Sequence, residues 1–152
     1  MKHIKIFEKE IKFLYKSNRG LTELREELPD TLKHLYCYNN RLAELPELPD
    51  SLIYLDCSCN KLETLPKLPD KLEYLDCGYN ELKILPKLPD TLTLLYCKGN
   101  HLPYDSLEGY KEWYFNSMIK KFNIKNINEI HKQILYNNKR FRLFHSRIKR
   151  NS

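Results

Sequence analysis

The chain repeats itself every 20 residues, and that period leaves few folds open. Leu28, Leu48, Leu68 and Leu88 recur at this step. Pro29, Pro49, Pro69 and Pro89 follow them, then Asp30, Asp50, Asp70 and Asp90. Leu32, Leu52, Leu72 and Leu92 keep the step, as do Leu35, Leu55, Leu75 and Leu95. So do Cys37, Cys57, Cys77 and Cys97, then Asn40, Asn60, Asn80 and Asn100, then Leu42, Leu62, Leu82 and Leu102. A strict period in the range of 20 to 50 residues is the mark of a stacked-repeat architecture. Each unit buries its leucines only against its neighbours, so several are needed for stability.

Written once, the unit is L-P-D-x-L-x-x-L-x-C-x-x-N-x-L-x-x-L-P-x. In its x-L-x-C-x segment, alternate side chains point to opposite faces of a short strand. Leu35 and Cys37 point inward and Tyr36 outward. Stacked strands about 4.8 Å apart form a parallel sheet. The asparagine side chain bonds backbone groups where the chain leaves the strand, so stacked asparagines form a buried ladder. The prolines fix φ and supply no N–H, which favours an extended return segment over a helix.

This unit matches the leucine-rich repeat pattern at the short end of its length range. It resembles the LPxLPxxL subtype of bacterial effectors of the IpaH and YopM type. It is also similar to small leucine-rich repeat proteins of giant viruses, which use cysteine in the same way. The resemblance covers about residues 21–102. The segment beginning LPYDSLEGYKEW is similar to the end of the giant-virus proteins. The fold expected is an α/β leucine-rich-repeat solenoid. It has a short parallel sheet on its concave face, an extended Pro-rich convex side and a C-terminal helical cap. Residues 1–27 form a degenerate N-terminal repeat or cap, 28–102 four repeats of 20 residues, and 103–152 a helical cap with a basic tail. IpaH-type proteins continue into a ubiquitin-ligase domain with a catalytic cysteine. Only 50 residues follow Leu102 here, none of them cysteine, so that activity is not carried over.

Upstream the pattern degrades. Ile11, Leu14, Leu21 and Leu24 stand 21 residues before Leu32, Leu35, Leu42 and Leu45, and Lys16 stands where a cysteine is expected. Ile4, Phe7, Ile11 and Leu14 would equally suit a short helix, so the form of the cap stays open.

The cysteines invite chemical readings, which the repeat weakens. Cysteine packs as a small hydrophobe. A zinc site needs four ligands converging at about 2.3 Å, and a column along a stack does not converge. A nucleophile needs exposure and a lowered pKa. An inward cysteine has neither, and Asp76 beside Cys77 points to the other face. Cys59 lies past its strand and is the one cysteine expected to be modifiable. Nothing matches a phosphate-binding loop or a hydrolase or metalloprotease signature. No enzyme, cofactor or metal is expected.

The outward residues of the strands are the candidate binding face. They are His34, Tyr36 and Tyr38; Tyr54, Asp56 and Ser58; Tyr74, Asp76 and Gly78; and Leu94, Tyr96 and Lys98. Stacking sets Tyr54 beside Tyr74 and Asp56 beside Asp76, with Tyr36 and Tyr96 flanking the carboxylates. Tyrosine provides rigid contact area and is enriched at interaction hot spots. It also has high β propensity, so part of this pattern serves the sheet itself. Adjacent carboxylates cost stability, which favours a binding role and suits a Lys or Arg on a partner.

Charge is uneven. Residues 103–152 carry 11 Lys and Arg against 4 Asp and Glu, a net +7 in a chain of net +6. Asp105 and Glu108 have capping-box spacing, with Leu107, Tyr110, Tyr114 and Met118 at helical intervals. A helix is therefore expected near 106–122, covering the open end of the stack. Asn126 and Glu129 mark a second helix start. The tail holds Lys139, Arg140, Arg142, Arg147, Lys149 and Arg150 around Phe141 and Phe144. Basic residues among aromatics suit a nucleic-acid backbone, though a solvated helix face has the same composition.

At 41% apolar and 30% charged, the composition is that of a globular chain. No apolar run of about 18 residues spans a membrane, and the start lacks the apolar region of a secretory signal. Five cysteines without a C-x-x-C pair indicate a reducing, cytoplasmic address. The expected function is a non-enzymatic protein or peptide interaction module, with nucleic-acid association through the tail as the alternative.

Overall fold

The computed structural model of the chain describes residues 11–25 and 27–121. It divides into two compact units, Met1–Tyr110 and Lys111–Ser152. Five three-residue strands come first: β1 (Phe13–Tyr15), β2 (His34–Tyr36), β3 (Tyr54–Asp56), β4 (Tyr74–Asp76) and β5 (Leu94–Tyr96). One helix follows, α1 (Leu107–Lys121). The strands form a single parallel sheet in sequence order. Between strands the chain runs through turns and bends, with no helix among the described residues of these returns.

Each turn is built the same way because each has the same residues at the same places. The Pro-Asp-x-Leu segment closes a tight turn in which the leucine N–H donates to the proline carbonyl, at 2.9 Å for Leu32 and Pro29 and 3.1 Å for Leu72 and Pro69. The strand then pairs in register, Leu14 with Leu35, Leu35 with Leu55, Leu55 with Leu75 and Leu75 with Leu95. Inward side chains stack into one continuous core. Leu35, Leu55, Leu75, Cys37, Cys57 and Cys77 are fully buried. Burying a leucine stabilises by about 1.5–3 kcal/mol, so these columns supply most of what holds the turns together.

The asparagines satisfy the backbone where the chain leaves each strand. Asn80 Nδ2 donates to the carbonyls of Cys57, Cys77 and Gly78 at 3.1, 3.1 and 3.2 Å. Its Oδ1 accepts the Leu62 N–H at 3.0 Å. Asn40, Asn60 and Asn100 make the same kind of clamp one turn apart. Buried backbone groups without partners are costly, and one side chain per turn removes that cost.

The residue just before each ladder asparagine adopts a left-handed backbone. Asn39, Cys59 and Tyr79 have φ of 53°, 55° and 53°, and Gly99 has 75°. Asparagine and glycine take this conformation readily, whereas cysteine and tyrosine do so at a cost. A side chain at Gly99 would also meet the Tyr79 ring, 2.7 Å from the position of its Cβ.

The ends differ from the middle. The first turn is a strand at Phe13–Tyr15 rather than a helix there, and it pairs with β2 at a 21-residue offset. Its Leu14, Leu21 and Leu24 are only partly buried. At the other end, Tyr96 bridges antiparallel to Ser106, and the Cys97 N–H donates to the Asp105 carbonyl at 3.3 Å. The sheet edge is thereby paired by chain rather than left open. Leu107 enters the core, and Tyr104 and Tyr110 pack against it.

The helix start requires a correction. Ser106, not Asp105, is the N-cap: its Oγ accepts the Gly109 N–H at 3.2 Å, the bond a serine cap makes. The Asp105–Glu108 capping box does not form, because the bridge to Tyr96 fixes Ser106 at the last non-helical position. From Lys111 onward the helix belongs to the second unit. Phe122, the second helix start at Asn126 and Glu129, and all of the basic tail lie outside the described residues. Among those residues no helix is long and apolar enough to cross a membrane.

Candidate functional site

The outward residues of the strands form two aligned columns. The first runs Phe13, His34, Tyr54, Tyr74, Leu94, and the second Tyr15, Tyr36, Asp56, Asp76, Tyr96. Tyr38, Ser58, Gly78 and Lys98 follow at the strand exits. The structure thus brings the sequence-derived candidates on the strands onto one side of one sheet, and it places Asp56 against Asp76 with Tyr36 and Tyr96 on either side.

Two members of this face were missed. Phe13 and Tyr15 extend it by one strand, Phe13 stacking on His34 at 4.5 Å and Tyr15 on Tyr36 at 4.9 Å. The signal was present, since aligning Leu14 with Leu35 places both beside it. An open groove of about 470 Å³ lies at this end, lined by Tyr15, Ser17, Asn18, Arg19, Tyr36, Tyr38 and Asp56.

The aromatic rings pack on one another along the stack. Tyr54 and Tyr74 are 4.1 Å apart at 7°, His34 and Tyr54 5.7 Å apart, and Tyr74 and Tyr96 5.9 Å apart at 51°. Burial pushes the Tyr74 hydroxyl above its ordinary range, with the hydrogen bond it donates to Tyr54 and the nearby carboxylates adding to the shift. Tyr36 is raised by burial and then by Tyr54, Tyr15 and Asp56. These phenols are neutral at physiological pH and offer hydrogen-bonding hydroxyls.

The two carboxylates are anchored by their own turns. Asp56 Oδ1 accepts the Ser58 N–H at 3.1 Å and its hydroxyl at 2.7 Å. Asp76 Oδ1 accepts the Gly78 N–H at 3.0 Å. Partial burial raises the Asp76 pKa, the Gly78 hydrogen bond opposes this, and the neighbouring Asp56 adds to the rise. A Cβ at Gly78 would sit tightly, 3.2 Å from both Asp76 Oδ1 and the Lys98 carbonyl.

The cysteine column has the opposite character. Burial, the largest cause in each case, pushes Cys37 and Cys97 up to about 12 and raises Cys57 and Cys77 as well. Such thiols are protonated at neutral pH and are poor nucleophiles. Cys59 is exposed. Among the described residues no group of three or more His, Cys, Asp or Glu is placed to hold a metal ion.

A parallel sheet stacked at one strand per repeat, with a leucine core and an asparagine ladder, makes this a leucine-rich repeat protein. The similarity to solved structures is specific. The leucine-rich repeat domain of a Shigella effector matches at 39% identity and a TM-score of 0.58, over 59% of this chain and 40% of that one. YopM from Yersinia enterocolitica matches at 46% and 0.53, over 55% of this chain and 18% of its own. YopM from Yersinia pestis, a leucine-rich effector protein, matches at 36% and 0.51, over 60% and 32%. This chain therefore spans less than half the length of each. No protein-family model and no curated protein matches it.

Proposed function

We propose that this chain is a non-enzymatic interaction module that binds a protein partner through the outward, concave face of its sheet. One observation carries the reading. The inward strand position is leucine in every turn, whereas the outward ones change from His34 to Leu94 and from Tyr15 through Asp56 to Tyr96. A scaffold needs only the first set. The second keeps two neighbouring carboxylates that oppose stability, and it presents tyrosines of the kind found at hot spots. The similarity to effector repeat domains supports the same class of function, and free cysteines accord with a cytoplasmic setting.

The test is capture from nuclease-treated cell lysate, comparing the native chain with a Tyr36, Tyr54, Tyr74, Tyr96→Ala variant shown to fold by circular dichroism. A protein retained by the first and lost by the second is the expected result. Equal capture by both contradicts the reading. The rival, nucleic-acid association through Lys139, Arg140, Arg142, Arg147, Lys149 and Arg150, rests on basic residues interleaved with Phe141 and Phe144, in a segment outside the described residues. It requires binding that falls steeply with salt and disappears on removal of residues 137–152.

A further inference from the structure

In the middle of the sheet face the rings cover one another, while Phe13, Tyr15 and Tyr96 toward its two ends stay exposed. Tyr54 on Tyr74 and Phe13 on His34 stack within 11° of parallel along the strand-to-strand direction. Rings stacked this way turn their edges and hydroxyls outward, which disfavours base stacking. What the face presents at its centre is negative charge. Each of Asp56 and Asp76 engages one oxygen, Oδ1, with its own turn. Neither makes an ion pair among the described residues, in a chain whose net charge is +6. Asp56 lines the open groove together with Tyr15, Tyr36 and Tyr38.

We propose that this face docks an arginine side chain of the protein partner, its stem along the groove and its guanidinium on Asp56 and Asp76. The assignment rests on the reading of the sheet face as the interaction surface and specifies the chemistry of its ligand. Asp56 and Asp76 are register partners on adjacent strands, whose backbones lie about 4.8 Å apart. A planar fork of five N–H donors reaches both and still meets a tyrosine hydroxyl, whereas an ammonium is a compact point charge. Charge-assisted bonds of this kind are the strong ones. Arg19, on the first turn of the groove, repels a second cation there and favours its placement toward β3 and β4.

The Ser58 and Gly78 amides donate to the two carboxylates and report directly on them. The full chain, labelled with ¹⁵N, is titrated with acetyl-Gly-Arg-Gly-amide and with its lysine and citrulline counterparts. The arginine peptide should shift both amides saturably, bind roughly fivefold more tightly than the lysine peptide, and weaken with added salt. Citrulline should leave them in place, and Asp56→Asn with Asp76→Asn should abolish the response in a chain whose spectrum stays dispersed. No saturable shift, or equal binding of the citrulline or lysine peptide, overturns the assignment. If the double asparagine variant still captures the lysate partner that the four-tyrosine variant loses, the face remains the interaction surface and the arginine assignment falls.

Discussion

Leu35, Leu55, Leu75 and Leu95 fill the inward position of successive strands. One residue earlier, the outward position reads His34, Tyr54, Tyr74 and Leu94. The inward strand position is leucine in each turn because each side chain is enclosed by its copies in the turns above and below, and a change in one volume leaves a cavity or a clash. The outward side stacks on its neighbours along the sheet but meets solvent above them, so it is freer to differ. The contrast separates two demands on the same three-residue strand: one side makes the stack, and the other distinguishes this stack from another.

The largest expected effect comes from the inner side. Leu75→Ala should cost about 2–5 kcal/mol in denaturant unfolding, and a value below about 1 kcal/mol would show that the core is looser than its burial implies. Asn80→Ala comes next, at about 3 kcal/mol. It strands the Leu62 N–H and leaves the carbonyls of Cys57, Cys77 and Gly78 without this donor.

Between the two sides lies the left-handed position. Cys59→Asn should stabilise by about 0.5–1 kcal/mol, since asparagine adopts φ near 55° more readily. In the native protein Cys59 should also be the cysteine alkylated by iodoacetamide, with Cys37, Cys57, Cys77 and Cys97 protected, as peptide mass mapping would show.

The smallest stability effect belongs to the outer side. Asp76→Asn keeps an acceptor for the Gly78 N–H and removes a like charge beside Asp56, a gain of about 0.2–1 kcal/mol at pH 7. The sign follows from linkage. Folding raises the Asp76 pKa, so the folded state binds more protons than the unfolded one in the window between the ordinary carboxylate pKa and the raised one. Native stability therefore falls as pH rises through that window. The advantage of the variant should grow across it, stay constant above and vanish below. An advantage independent of pH would locate its cause elsewhere.

Most of the fold was legible because the repeat places chemically identical residues at a fixed interval. That interval sets strand register directly, and the asparagine ladder follows from the same column. The left-handed position was not read from the repeat, although Asn39 and Gly99, which share a column with Cys59 and Tyr79, carry its signal. The first turn was harder. Its 21-residue offset and Lys16 break the period, so a helix and a strand competed for Ile11 and Leu14, and Phe13 and Tyr15 were left off the face. Ser106 and Asp105 are both good caps, and only a long-range bridge to Tyr96 decides between them. The ring stacking depends on side-chain rotation, which no periodicity encodes.

The central claim is that the inner columns carry stability and the outer columns carry recognition. Replacing Tyr36, Tyr54, Tyr74 and Tyr96 together by Phe tests it most directly, because the stacked rings remain and only the outward hydroxyls are lost. Denaturant unfolding and partner capture are then measured on the same protein. The account predicts a change in stability within about 1–2 kcal/mol, set by the modest net value of each hydroxyl hydrogen bond, together with clear loss of capture. Unchanged capture, or a collapse in stability comparable to Leu75→Ala, would contradict it.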